Sequence, residues 1–129
     1  MKQVAAALIV VLLTVAPARA TEWMICSNSG NTASISVLLG AMNVIAVNDI
    51  KIEVGNKQWS TTPGEGTLIT RGQAFESADQ MWIDVTDKDV ANIVARLRLF
   101  KATEGDNYAS GGTLAVTGEG AWAVICDGP

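Results

Sequence analysis

The sequence predicts a small all-β domain: an antiparallel β-sandwich or barrel of about seven to eight strands, with one short helical turn and a disulfide joining its terminal strands. Three observations predict it. The apolar runs are short and alternate with polar residues, and clusters of turn residues separate them at close spacing. The chain closes on Thr113–Cys126, two apolar runs around Gly118-Glu119-Gly120, which is the pattern of a β-hairpin with a short loop. The two cysteines, Cys26 and Cys126, each end an apolar run, one near the start of this domain and one at its finish. A bond between them closes a loop of about 100 residues, worth up to ~4.7 kcal/mol when counted as lost chain entropy.

The domain follows a targeting segment. Lys2 opens it, Val4–Val15 is almost wholly apolar, and Ala18-Arg19-Ala20 supplies a small-x-small cleavage site. These are the features of a secretory signal peptide over residues 1–20, with cleavage expected after Ala20. A spanning helix needs about 20 consecutive apolar residues, and this run breaks at Pro17 and Arg19. The large side chains of Trp23-Met24-Ile25 before Cys26 do not suit a lipid attachment site. No later stretch is long and apolar enough to cross a membrane. The expectation is one all-β domain, residues 21–129, in the periplasm or outside the cell, where a disulfide persists.

The first strand reads Glu22–Cys26, followed by the turn residues Ser27–Asn31. Ile35, Val37 and Leu39 alternate with Ser34, Ser36 and Leu38 in a strand that Gly40 interrupts. Ala41–Val47 is too short for its period to decide between strand, helical turn and apolar loop. Ile50, Ile52 and Val54 alternate up to Gly55-Asn56, a two-residue hairpin loop that sets Ile52 opposite Trp59. Thr62–Gly66 is a loop. Thr67–Phe75 is extended, with Gly72 as a bulge or bend. After a turn at Ser77–Gln80, Met81, Ile83 and Val85 face one way and Trp82, Asp84 and Thr86 the other. Thr86 with Asp89 three residues on resembles a helix start, so a helical turn is expected over Asp87–Asn92 and then a strand to Lys101. One longer helix through Leu99 is the rival. Thr103–Gly112 is polar and turn-rich.

Charge and composition exclude several functions. The whole chain carries a formal net charge of −4, and loss of Lys2 and Arg19 leaves the exported domain more negative still. That opposes binding to nucleic acid, which is dominated by cationic contacts to phosphate. It permits a basic partner. The chain has no histidine. Serine–histidine and cysteine–histidine nucleophiles and imidazole zinc ligands are therefore absent. No glycine-rich phosphate loop is present, so no cofactor is expected. Asp84, Asp87 and Asp89 lie close in sequence, but their spacing does not match a Ca²⁺ loop, and no metal site is expected. A carboxylate-dependent hydrolase is the remote enzymatic reading, because a paired-carboxylate mechanism needs a cleft.

Four tryptophans, Trp23, Trp59, Trp82 and Trp122, stand beside only two phenylalanines and one tyrosine. Trp122 shares a strand face with Val124 and Cys126 and reads as core. Trp82 lies opposite the Met81-Ile83-Val85 face and is bracketed by Asp79 and Asp84. This trio is the candidate binding site, an aromatic anchor beside acids. Ser110-Gly111, with Gly118 further on, is similar to the Ser-Gly motif and following glycine of the periplasmic C-type lysozyme inhibitors. The layout resembles that family: small exported β-barrels with a cysteine near each end. The family's tyrosine after Ser-Gly is missing, and Thr117 stands where its lysine would be. The resemblance therefore implies a layout and not the inhibitory contact. The expected function is a non-enzymatic exported binding module acting on another, basic, exported protein, of inhibitor or immunity type. A structural or assembly component of the cell envelope is the alternative.

Overall fold

The computed structural model describes residues 21–40 and 45–128. Its strands are β1 (Glu22–Ser27), β2 (Ala33–Gly40), β3 (Ala46–Val54), β4 (Lys57–Ser60), β5 (Thr67–Glu76), β6 (Gln80–Asp87), β7 (Ile93–Glu104), β8 (Asn107–Val116) and β9 (Gly120–Asp127). They close into a barrel in sequence order, β9 pairing back onto β1. The barrel is thus the outcome rather than the sandwich, with slightly more strands than expected. Cys26 and Cys126 are register partners across the β1–β9 closure and are disulfide-bonded.

Period-two alternation decides which side chains enter the barrel. Ile35 and Val37 of β2, Ile50 and Ile52 of β3, Met81, Ile83 and Val85 of β6, and Leu97 and Leu99 of β7 fill it. Leu114, Val124 and both cysteines complete the same core. A barrel packed this way is a solid core and not a pore. No helix among the described residues is long and apolar enough to cross a membrane.

Local readings meet the structure at several points. Gly55-Asn56 is a tight turn and Ile52 pairs with Trp59, as the hairpin register requires. Only Gly55 takes positive φ, +58°, which fits a loop with glycine at its first central position. Trp59 is half-buried and packs against the core. Trp122 does the same, in keeping with its strand face. Of the ambiguous Ala41–Val47 segment, Ala46 and Val47 belong to β3, and residues 41–44 lie outside the described residues.

The helical turn over Asp87–Asn92 is corrected: the segment is the β6–β7 turn, and the described residues contain no helix. Asp87 N–H donates to the Asn92 carbonyl, closing a hairpin. The Asp87 carboxylate accepts from Ala91 N–H and from the Asn92 side-chain amide. Acid and turn residues that resemble a helix cap thus satisfy a loop instead. Val90 sits at φ +58°, which a right-handed helix cannot contain. The alternation in β6 also breaks at its end. A register shift falls between Val85 and Thr86, and Thr86 is nearly buried there, its hydroxyl donating to the Thr70 carbonyl.

One seam departs from the antiparallel pattern. β4 and β5 are parallel and share only the pairs Trp59–Thr67 and Ser60–Leu68. The connecting loop folds back on β3. The Thr61 and Thr62 hydroxyls both donate to Asp49, Thr61 N–H donates to the Ile50 carbonyl, and Glu65 pairs with Lys51 at 2.8 Å. That carboxylate holds the Lys51 ammonium above its usual range.

Candidate binding face of strands β5 to β7

Side chains that alternate away from the core on β5, β6 and β7 share one outer face. Phe75, Trp82 and Arg98 are register partners in a single row across it. The Phe75 and Trp82 rings lie 5.8 Å apart at 58°, and the Arg98 guanidinium sits 5.4 Å from the Trp82 ring centroid. Both geometries are attractive through the ring quadrupole. Trp82 remains 47% exposed and Phe75 52%, so the row is a surface feature and not a second core.

Arg98 also donates from Nη2 to Asp84 Oδ1 at 2.7 Å and from Nη1 to the Leu97 carbonyl at 2.9 Å. These contacts hold the guanidinium beside the indole. Gln73, Ala74, Phe75, Trp82, Asp84 and Arg98 line a concavity of about 280 Å³. A second concavity of about 500 Å³ shares Gln73 and Asp84 with it and adds Arg71, Gly72, Thr86, Val90 and Ile93. Together they form one groove that crosses β5 and β6 toward the β6–β7 turn.

The groove exists because β5 bulges. Its ladder with β6 skips from Arg71 to Ala74, leaving Gly72 and Gln73 out of register. A bulge bends its strand and re-aims a side chain. Here it places Gln73 between the two concavities. Gly72 is required at the bulge: a Cβ there would stand 2.5 Å from the Asp84 carbonyl oxygen. Arg71 reaches the other way and donates to the Val47 carbonyl at 2.6 Å, across the gap beyond the short β4.

Of the sequence-predicted trio, Trp82 and Asp84 share this face. Asp79 does not line it. It sits in the β5–β6 turn, where its carboxylate accepts from the Ser77 hydroxyl and its carbonyl from Lys101 N–H. Asp84 is matched by Arg98, so its charge is not free to draw a cation. Asp87 and Asp89 are engaged in the turn and with Lys88. The contacts from Asn92 and Ala91 hold the Asp87 carboxyl below the usual carboxylate range. The described residues contain no group of three or more histidine, cysteine or acidic side chains placed to hold a metal ion.

Sequence reasoning missed Phe75, Gln73, Arg71 and Arg98 here, and a second apolar feature next to them. Phe100 and Ile125 flank Gly111 in one outward row across β7, β8 and β9. They are 68% and 76% exposed. With no side chain at Gly111, a shallow concavity of about 290 Å³ opens beside Phe100. Arg96-Leu97-Arg98-Leu99 carried the signal that could have found some of this. Once read as a strand, it sends both arginines to the outer face beside Trp82. Ser110 of the Ser-Gly pair faces inward from mid-strand, opposite Cys126, and its buried hydroxyl has no hydrogen-bond partner. It is not presented on a loop. No family model, no curated protein and no solved structure matches this chain.

Proposed function

We propose that the protein is an exported, non-enzymatic binding module that acts on another exported protein through the outer wall of its barrel. The observation that carries the reading is the run of outward apolar side chains Phe75, Trp82, Phe100 and Ile125, on a domain whose core is already filled from within. Isolated surface apolars are ordinary, but a run of large ones across neighbouring strands marks an interaction surface. Trp82 is the anchor, since a half-exposed indole braced by Phe75 and Arg98 is pre-ordered for contact. The pair Asp84–Arg98 fixes register at the rim. Exposed acids at the β7–β8 tip, Glu104 and Asp106, favour a partner with basic character. Residues 1–20 serve as the export signal in this reading, and the compartment is the periplasm or the exterior. The disulfide fits such an oxidising setting.

The test compares the disulfide-bonded domain with Trp82→Ala and Phe100→Ser variants in affinity capture from envelope and secreted fractions. A defined protein retained by the parent and lost from both variants supports the reading. Equal retention by all three would remove this surface from consideration. The alternative, an envelope assembly component, rests on the β7–β8 hairpin: Ala102–Ala109 runs past the ends of β6 and β9 with exposed side chains. Self-association in sedimentation at rising concentration favours it.

A further inference from the structure

The seam that closes the barrel, β1 with β9, is thin. It holds three register pairs, Ile25–Asp127, Cys26–Cys126 and Ser27–Ile125, with the disulfide at the middle one. Each strand is held more firmly on its other side: β1 shares six pairs with β2, and β9 shares seven with β8. Breaking the bond therefore frees one short seam and leaves both strands attached to the sheet. Ser110 lies directly across β8–β9 from Cys126, on the same inward face. Opposed side chains of this kind have Cβ atoms about 4.5–5.5 Å apart. The Ser110 hydroxyl is buried, and among the described residues it is the buried side-chain polar atom without a hydrogen-bond partner. A buried hydroxyl without a partner opposes the state that contains it. A freed Cys126 would supply that partner as a thiol, or more strongly as a charged thiolate.

We propose that the disulfide is a redox latch: Ser110 favours its reduction, and reduction opens the β1–β9 seam without unfolding the barrel. The reductant is an external thiol. Its thiolate attacks the sulfur of Cys126, which keeps some exposure while Cys26 has none. A mixed disulfide forms on Cys126, and Cys26 leaves as a thiolate. A second external thiolate attacks the external sulfur, and Cys126 leaves as a thiolate that accepts from the Ser110 hydroxyl. Both cysteines take up the protons that the two thiols gave up, so the products are two cysteine thiols and one external disulfide. The consequence falls on the outer wall. Ile125 and Gly111 are the chain neighbours of Cys126 and Ser110, and they face outward in the row with Phe100. Ile125 also belongs to one of the three seam pairs. Reduction therefore loosens one side of the Phe100–Ile125 surface, and the bonded form is the one ordered for contact. That last link rests on the binding wall proposed above; the latch itself does not.

Two measurements on the folded, disulfide-bonded protein test it. Equilibration in glutathione buffers of graded composition, read as the fraction of alkylatable thiol, gives the reduction equilibrium. Ser110→Ala should make the bond about tenfold harder to reduce. Its urea midpoint in the bonded form should hold or rise, because the hydroxyl it removes has no partner. A lower midpoint, an unchanged equilibrium or an easier reduction overturns the role of Ser110. A bond left intact by excess reduced glutathione overturns the latch. Backbone hydrogen exchange with and without a dithiol reductant then locates the opening. Exchange should rise about tenfold or more at Ile25–Ser27 and Ile125–Asp127, while β3, β6 and β7 stay protected. Protection lost evenly across the sheet, or unchanged at the seam, also overturns it. Neither readout involves a partner, so loss of the proposed binding wall would leave the latch standing, and a seam that stays closed would leave the wall standing.

Discussion

Arg98 stands across the ladder from Trp82, yet its guanidinium bonds to Asp84, one outward step along β6. One side chain thereby braces an aromatic ring and cancels an acid. Asp84→Asn should leave Arg98 partly buried without its counter-charge. The expected cost is about 1 kcal/mol, since both side chains keep solvent contact. Urea unfolding followed by tryptophan emission checks it, and the loosened guanidinium should also alter the emission of Trp82 in the folded state.

The Cys26–Cys126 bond spans the barrel closure, where β1 and β9 share only three register pairs. Reduction, or Cys26→Ser with Cys126→Ser, should cost about 2–5 kcal/mol. Denaturant midpoints with and without reductant measure it. Peptide mapping without reduction should recover the two cysteines in one linked species, and two alkylatable thiols in the native protein would contradict the bond.

Ile52 is fully buried, and its partner Trp59 is half-buried over it. Trp59→Ala should therefore cost about 2–3 kcal/mol, below the range for a fully enclosed ring. Ile52→Ala should cost about 2–5 kcal/mol. The double variant should cost less than the sum, because the two residues share a contact.

The hairpins were legible because each depends on residues adjacent in sequence. Gly55-Asn56 with flanking alternation sets its own register, and Gly118-Glu119-Gly120 does the same for β8–β9. The cysteines were legible as a pair because a single partner existed for each. The binding face was only half legible. Trp82 and Asp84 follow from parity within β6, but Phe75 and Arg98 reach Trp82 only through registers set by long-range pairing. The β5 bulge shifts one of those registers, and parity alone carries no sign of that. The β6–β7 turn was misread because Asp87 and its neighbours satisfy backbone groups in a loop with the same residue types that cap a helix. The parallel β4–β5 seam depends on a loop doubling back onto Asp49, which local pattern does not encode.

Val90 takes φ +58° with its side chain 62% exposed. A β-branched residue is strained there, by roughly 1–2 kcal/mol, and little packing offsets it. Val90→Asn should raise stability by about 1 kcal/mol. A thermal melt at fixed pH measures the change. A loss of stability would mean that the exposed isopropyl group has a packing role.

Asp87 has its carboxyl held down by Asn92 and Ala91. Its contribution to stability is present above the unfolded-state value, about pH 3.9, and is lost as pH falls through the lower folded value. Asp87→Asn should remove that acid-side dependence and leave the profile from neutral to alkaline pH parallel to the parent. Lys51 works in the opposite sense. Its raised pKa contributes below the unfolded value, about 10.4, and is lost as pH climbs through the folded one. Lys51→Met should flatten only the alkaline limb. Denaturation midpoints across pH separate the two.

The strand order of the barrel is the order of the sequence, and β9 lies beside β1. The nine strands of the described residues therefore form a ring, and the one junction without a connecting loop, β9 to β1, is the one the disulfide bridges. A short linker from the end of β9 to the start of β1 would close that junction through the backbone. New ends placed in the loop between β4 and β5 would fall at the seam with the fewest register pairs. Such a circular permutant would read as an uninterrupted antiparallel meander, with each strand handed to the next by a hairpin or by the new linker. Its folding would then rest on local pairings, apart from the weak parallel seam that the original order had joined by a loop.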